Sequence, residues 1–151
     1  MMRRLFAQLI VTISVVSLFA PGMHAADLQL AKNEPNLEKR SRLALANADQ
    51  AISEAREAYA VQNMKTTEAK LAEVRESVEL AQAALTASGK KPGKSPGPYK
   101  YAETESRKLL RRLEGLKQEM DASDREVIEP VQNKVQEIHD AWLDGILTHA
   151  K

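Results

Sequence analysis

Apolar residues recur at steps of three and four along most of the chain after residue 36, which is the spacing of one face of an α-helix. The alternation of apolar and polar residues typical of a half-buried strand is almost absent. Four apolar stripes can be distinguished: Leu45, Ala48, Ile52, Ala55 and Tyr59; Leu71, Val74, Val78, Ala81 and Leu85; Ala102, Leu109, Leu113, Leu116 and Met120; and Ile128, Val131, Val135, Ile138 and Trp142. These stripes predict an all-α fold with helices at about residues 37–60, 64–87, 99–121 and 124–148.

The stripes are out of phase with one another, and this separates the helices. The second stripe is rotated by about 100° from a continuation of the first, so we predict a turn near Gln62. Asn63 is a suitable N-cap for the helix that follows. A similar shift separates the third and fourth stripes, where residues 123–126 fit a capping box and Pro130 opposes a continuous helix. A short helical turn at about 124–128 is therefore expected before the last helix.

Residues 88–98 are rich in Gly, Pro and Lys and predict a linker. Gly89 suits the left-handed end of the second helix, and Pro98 suits the beginning of the third. Two helical hairpins of matched length, joined by this linker, predict an antiparallel four-helix bundle. The alternative is a pair of long helices that associate with another chain as a coiled coil, because Ala is abundant on the stripes.

The first 25 residues have a different character from the rest. Arg3 and Arg4 precede an apolar run from Leu5 to Ala20, and small residues follow it. This order is typical of a secretory signal peptide, with cleavage expected after Ala25. An uncleaved membrane anchor is the alternative, but the run is shorter than the roughly 20 apolar residues that span a bilayer. We expect a periplasmic or secreted protein with no stable membrane anchor after cleavage, and an extended segment over 26–36.

Composition removes several classes of function. The chain has no cysteine, which excludes disulfides, a lipoprotein anchor, covalently attached haem and thiolate metal sites. The whole sequence has 22 basic and 21 acidic residues, and loss of Arg3 and Arg4 with the signal leaves 20 against 21, a formal charge of −1. Such a balance implies no general attraction to polyanions, so we expect no nucleic-acid partner.

Candidate chemistry is sparse in the predicted mature region, which contains only His139 and His149 as histidines. His139, Asp140 and Asp144 are the only candidate metal ligands, although Asp and His near a helix end are usually solvated. The first helix also lacks the Met that pairs with a last-helix His in periplasmic b-type cytochromes. No Ser or Thr has a Gly-rich elbow or a neighbouring base. We therefore predict no catalytic residues, no cofactor and no metal.

A contact surface around the linker is the remaining candidate site. It comprises four lysines and two tyrosines: Lys90, Lys91, Lys94, Tyr99, Lys100 and Tyr101. The lysines suit anionic headgroups or polymers, and the tyrosines add flat apolar area. A charged, Gly-rich linker is also typical of a loop that provides only solubility and flexibility. Trp142 fits either the core or a contact anchor.

These observations favour a non-enzymatic exported helical protein that acts through protein contact, as a subunit, an adaptor or a chaperone-like factor. The alternatives are a ligand- or metal-binding bundle of the periplasm, and weak binding to the envelope surface through the lysine loop. The expected partner is an unidentified protein of the cell envelope, and a homo-oligomer also fits.

Overall fold

The computed structural model describes residues 27–148, and this range is helical, without strands. The predicted signal peptide, its cleavage after Ala25, and His149 lie outside the described residues. The α-helices are α1 (Leu28–Asn33), α2 (Leu37–Ala60), α3 (Met64–Ala87), α4 (Pro96–Glu119) and α5 (Glu129–Thr148), with a 3-10 turn at Arg125–Val127. No helix in this part of the chain is long and apolar enough to cross a membrane.

The expectation of an extended segment over 26–36 is wrong for residues 28–33, which form α1. Asp27 caps this helix, because its side chain accepts a hydrogen bond from the Gln29 backbone N–H at 2.8 Å. Ala31 is fully buried where α1 packs on α2 and α3. Burial against the neighbouring hairpin stabilises a helix too short to be stable by itself.

The turn between α2 and α3 agrees with the sequence-based prediction. The Asn63 side chain accepts a hydrogen bond from the Thr66 backbone N–H at 3.1 Å and so caps α3. Gln62 lies in the left-handed region with φ 57°. This is a conformation that glycine usually supplies at the end of a helix.

The turn between α4 and α5 agrees only in part. A short 3-10 turn precedes α5, as predicted, and Pro130 is the second residue of that helix, where its missing N–H costs no hydrogen bond. The predicted capping box is wrong: Ser123 donates its hydroxyl to the Asp124 carboxylate at 3.3 Å, and Asp124 makes no side-chain cap.

The linker is shorter than predicted. Gly89 adopts φ 68° after α3, which confirms its expected left-handed conformation. α4 begins at Pro96, ahead of the predicted residue 99, so the connection between helices covers 88–95. Prolines are accepted in the first turn of a helix because those N–H groups have no intrahelical partner.

The four apolar stripes form one core. All of their residues are buried except Tyr59, which is half-buried, so the predicted faces are confirmed. Trp142 is 4% exposed and belongs to this core, which excludes it as a contact anchor. Four long helices thus pack against one another around a shared apolar interior.

Within each hairpin the helices run antiparallel. Asn47 of α2 donates a hydrogen bond to Ser77 of α3 at 2.9 Å, and Glu54, nearer the turn, pairs with Lys70 at 2.6 Å. In α4–α5, Lys117 near the end of α4 pairs with Glu129 at the start of α5 at 3.0 Å. Both connections therefore bring consecutive helices back along each other.

Between the hairpins, α2 lies beside α4 and α3 lies beside α5. Arg42 near the start of α2 meets Tyr101 near the start of α4, and Arg56 near the end of α2 pairs with Glu119 at the end of α4 at 3.0 Å. These adjacent helices consequently run in the same direction. The expected antiparallel arrangement holds within each hairpin and is wrong between hairpins.

Candidate functional site

His139 points from α5 into the contact with α4. It is 8% exposed, and its Nδ1 lies 2.9 Å from the Ser106 Oγ. The Ser106 hydroxyl donates to the Glu103 carbonyl oxygen at 2.9 Å, which leaves Nδ1 of His139 as the donor to Ser106. The Nε2 of His139 is 3.9 Å from Glu103 Oε1. This nitrogen faces a carboxylate beyond hydrogen-bond distance.

Glu103 is a buried carboxylate with its own charge partner. The Arg107 guanidinium donates three hydrogen bonds to it, at 2.7 to 3.1 Å, and these bonds raise the pKa of Arg107. Ser106 has no exposed surface, whereas Arg107 is exposed at the edge of the cluster. Ser106, His139, Glu103 and Arg107 therefore act together as a structural connection between α4 and α5.

The three candidate metal ligands are not brought together. Asp140 is exposed and accepts a hydrogen bond from the Gln136 amide at 2.7 Å, while Asp144 accepts one from the Thr148 hydroxyl at 3.4 Å. The ring of His139 faces Ser106 and Glu103 instead. Among residues 27–148, no group of three His, Asp or Glu side chains could hold a metal ion.

The sequence contains a signal for a partner of His139 that the third stripe does not include. The third stripe passes from Ala102 to Leu109, and helical spacing puts Ser106 at the missing position. Ser106 is fully buried there. A step of seven positions whose missing stripe position holds a hydroxyl indicates a polar contact inside the core.

Tyr99 is not part of an exposed contact surface, so this part of the prediction is wrong. It is 8% exposed, and its hydroxyl donates to the Lys90 carbonyl oxygen at 2.6 Å. Burial raises the pKa of the Tyr99 hydroxyl. Tyr99 therefore acts beneath the linker and ties its first residues to α4.

Further contacts fix the linker on the helices. Lys90 forms an ion pair with Glu38 of α2. Pro92 packs on α5 so closely that a Cβ at Gly145 would lie 3.0 Å from the Pro92 Cγ. The Lys91 carbonyl oxygen accepts hydrogen bonds from two backbone N–H groups further along the linker, at 3.0 and 2.9 Å. The linker is an ordered part of the molecule.

Three lysines project from this fixed linker and the first turns of α4: Lys91, Lys94 and Lys100. All three are exposed, and none forms an ion pair with a residue of the described range. Tyr101, by contrast, is half-buried under the Arg42 guanidinium, which lies 4.4 Å from the ring centroid. We call Lys91, Lys94 and Lys100 the linker platform.

The basic residues of α4 divide between two sides of the helix. Arg112 faces α2, where it pairs with the Asp49 carboxylate and donates to the Ser53 hydroxyl at 2.7 Å. Lys108 also reaches Asp49, at 3.5 Å. Arg107 and Arg111 are exposed on the other side, in helical register with Lys100. Because Arg107 is paired with Glu103, Arg111 is the member of this second group that forms no ion pair within residues 27–148.

Clefts occur at the hairpin turns and between α4 and α5. One, of about 480 Å³, is located between the two hairpin turns, where the Tyr59 hydroxyl donates to Asp124 at 3.0 Å and accepts from the Asp121 N–H at 2.8 Å. The second, of about 530 Å³, is a shallow groove between α4 and α5 whose lining includes Leu110 and Arg111.

Comparison with known proteins gives no match: no family model, no curated protein and no solved structure is similar to this chain. Candidate contact surfaces are therefore identified from the contacts and charges of the chain itself. These contacts and charges single out the linker platform.

Proposed function

We propose that this chain is a non-enzymatic four-helix bundle, exported by a cleaved signal peptide, that acts by contacting another protein of the cell envelope through the linker platform. The observation that carries the proposal is a fixed linker with three exposed lysines that have no ion-pair partner among residues 27–148. Holding a binding surface in its bound shape lowers the entropy lost on association. Unpaired surface charge also speeds the encounter with a partner of opposite charge.

Solubility alone does not require the anchoring contacts of this linker. A Gly- and Lys-rich connection that served only as a spacer would remain soluble without the Tyr99 hydrogen bond to Lys90, the Lys90 pair with Glu38 or the packing of Pro92 on Gly145. These contacts restrict the linker to one shape. Restriction of shape favours recognition of a specific partner over unspecific attraction.

The metal- or ligand-binding alternative is less favoured. Its best donor, His139, already bonds Ser106 inside the helix contact, and Asp140 and Asp144 interact with side chains of their own helix. A metal would therefore have to compete with a buried polar cluster. Binding to an anionic envelope surface uses the same lysines as the protein contact, so an experiment has to separate the two.

Capture from a native envelope extract tests the proposal. The chain is produced with its own signal, purified after export and immobilised. It is compared with a variant carrying Gln at Lys91, Lys94 and Lys100, and with a control carrying Gln at three lysines elsewhere: Lys65, Lys117 and Lys134. We expect one defined protein to be retained by the unmodified chain and by the control, and to be lost with the platform variant. Equal retention by all three would contradict the role of the platform.

Sedimentation with anionic vesicles distinguishes binding to the envelope surface from contact with a protein. The unmodified chain is mixed at low salt with vesicles of about one-third phosphatidylglycerol and with neutral vesicles. A protein-contact module should remain in the supernatant with both. Sedimentation with the anionic vesicles alone, lost on substitution of the platform lysines and in high salt, would favour the envelope surface as the partner.

A further inference from the structure

Charge is distributed unevenly between the two ends of the bundle. Each end is taken as the connections between helices together with six residues of every long helix beside them. The linker end then comprises residues 34–42, 82–101 and 143–148, and the turn end comprises residues 55–69 and 114–134. The linker end carries seven bases and three acids, a formal charge of +4. The turn end carries five bases and eight acids, a formal charge of −3.

Ion pairs neutralise only part of the linker end. Glu34 pairs with Lys39 at 2.7 Å, and Glu38 pairs with Lys90. The third acid of this end, Asp144, is exposed and accepts a hydrogen bond from the Thr148 hydroxyl. Five bases therefore remain against one acid after the pairs are counted.

Three of these five bases are the lysines of the linker platform. The other two are held on the bundle, because Arg40 donates to the Glu34 carbonyl oxygen at 2.8 Å and Arg42 lies over the Tyr101 ring. The platform lysines are exposed and form no ion pair inside the range 27–148. Leu147, which is 60% exposed, belongs to the same end. The linker end thus presents free ammonium groups together with an apolar side chain.

The turn end has the opposite imbalance. Its ion pairs, Arg56 with Glu119 and Lys117 with Glu129, are each 3.0 Å long and cancel within this end. Six acids and two bases of the end form no ion pair with a described residue: Glu57, Glu68, Glu114, Asp121, Asp124, Glu126, Lys65 and Arg125. Negative charge therefore remains in excess after the pairs are counted.

The cleft between the hairpin turns lies at this end. Its lining contains one base, Arg56, which is paired with Glu119, and two further acids, Asp121 and Asp124. Val61 lies between two lining residues in the sequence and is 74% exposed. The turn end thus combines a concave acidic surface with an apolar side chain, which complements the linker end in both charge and polarity.

We propose that copies of this chain associate head to tail, with the linker platform of one copy on the turn end of the next. The proposal rests on the function proposed above, because it uses the platform as a contact surface, and it names a second copy as a partner. Contact between two linker ends or two turn ends is opposed by like charges. Head-to-tail contact leaves a free platform and a free turn end, so it can repeat.

The ends of the bundle are small, so we expect a weak and reversible contact. Four helices of about 10 Å diameter give an end of about 20 Å by 20 Å, or about 400 Å² on each copy. The total of about 800 Å² is below the roughly 1,200 Å² that stable interfaces bury. Association should therefore require high concentration and low salt.

Sedimentation equilibrium of the exported chain tests this inference. The average mass is measured from about 10 μM to about 1 mM protein, at low salt and in about 0.5 M NaCl. We expect the mass to rise with concentration beyond that of a dimer at low salt, and to remain that of a monomer in high salt. A monomer at every concentration in low salt would overturn the inference.

Two variants, each altered at one end, show which surfaces meet. The platform variant carries Lys91→Gln, Lys94→Gln and Lys100→Gln, and the turn variant carries Asp121→Asn and Glu126→Gln. Each variant alone should associate about tenfold or more weakly than the unmodified chain. An equal mixture should form a 1:1 complex that does not grow further, because one intact platform meets one intact turn end. Association of the unmodified chain without recovery in the mixture would exclude the head-to-tail arrangement.

Matched controls remove charges from the sides of the helices. Arg75→Gln with Arg111→Gln changes two exposed bases, and Glu137→Gln with Asp140→Asn changes two exposed acids. Both controls should associate as the unmodified chain does. If they lost association as strongly as the platform and turn variants, net charge and not the two ends would govern it, and the inference would be wrong.

This inference and the proposed function can fail independently. If capture of an envelope protein depends on the platform while the chain stays monomeric, the inference is wrong and the proposed function stands. If copies associate head to tail while capture is unaffected by the platform substitutions, the inference stands and the proposed function is wrong.

Discussion

The backbone of Gln62 adopts a conformation that its side chain disfavours. Its φ of 57° lies in the left-handed region, which costs a residue with a Cβ about 1–2 kcal/mol. Glycine at this position would remove the cost, but it would also make the unfolded chain more flexible, which offsets part of the gain in stability. We expect Gln62→Gly to raise the free energy of unfolding by about 0.5–1 kcal/mol, measured by urea denaturation.

The control for this substitution lies on the preceding helix, α2. Gln50 is exposed in the interior of α2, where glycine is unfavourable. Gln50→Gly should lower the free energy of unfolding by about 0.5–1 kcal/mol. If both variants lost stability equally, the conformation of Gln62 would not be a source of strain.

The buried contact between Ser106 and His139 gives a second prediction at this scale. Ser106→Ala leaves a buried ring N–H without an acceptor, so we expect a loss of about 1–3 kcal/mol in the free energy of unfolding. Adding His139→Leu removes the unsatisfied group and should recover most of that loss. A double variant as unstable as the sum of the two single variants would contradict the pairing.

Single residues differ in how well the sequence predicts them. Gly89 and Asn63 take the conformations expected of their residue types. Gln62 carries no such signal, because closure of the α2–α3 turn and not local preference determines its φ. The position of His139 beside the fourth stripe does not predict which way its side chain points, because consecutive residues of a helix point about 100° apart.

At the scale of elements, packing on α5 holds the linker. Gly145→Val would push methyl groups into Pro92, whereas Gly97→Val meets open space. We expect trypsin to cleave after Lys90 or Lys94 about fivefold faster in Gly145→Val, because local opening of the linker exposes its backbone. Gly97→Val should be cleaved at the rate of the unmodified chain. Equal rates in all three proteins would mean that Pro92 does not restrain the linker.

Ionisation of Tyr99, which holds the linker, makes the stability of the protein depend on pH. Its raised pKa means that its contribution to stability is present below the unfolded value of about 10 and is lost as pH rises through the folded value. Tyr99→Phe should cost about 0.5–1.5 kcal/mol near pH 8, through the lost bond to Lys90. Between about pH 8 and pH 11 this variant should lose less stability than the unmodified chain.

Urea denaturation at both pH values measures the Tyr99 effect. Tyr101→Phe is the matched control, because Tyr101 is half-buried under Arg42 and no hydrogen bond of its hydroxyl is recorded within residues 27–148. We expect that control to follow the unmodified chain at each pH. An identical alkaline loss in Tyr99→Phe would exclude Tyr99 as its source.

The sequence predicts those helices that bury one face over several turns. The four stripes identify α2 to α5 because each repeats over several turns and every member except half-buried Tyr59 is buried. The sequence pattern does not predict α1, because six residues are too few to show a period of 3.6. The beginning of α4 was placed too late, since Pro96 and Pro98 suit a first helical turn as well as a loop.

At the scale of the whole molecule, periodicity does not predict which helices become neighbours. A stripe indicates which face is buried and gives no information about the helix that covers it. Polar pairs such as Asp49 with Arg112 place α2 beside α4. Such pairs join residues about 60 positions apart, and the pattern of a single helix does not contain them.

The proposed export concerns the whole chain and has a direct test. If the signal is cleaved after Ala25, intact mass spectrometry of protein purified after export should give a chain that begins at Ala26. Ile13→Arg with Val15→Arg interrupts the middle of the apolar run and should retain the unprocessed chain inside the cell. An exported protein with an intact residue 1–25 segment would favour the membrane anchor instead.

The hairpin layout also has a consequence for how quickly the chain folds. The most extensive contacts are between α2 and α3 and between α4 and α5, which are consecutive helices joined by short turns. Chains rich in such local contacts close small loops first and fold in about microseconds to milliseconds. Each hairpin can thus form as soon as its two helices are available, before the linker brings them together. A polypeptide that emerges progressively from a membrane channel would expose its apolar faces only briefly.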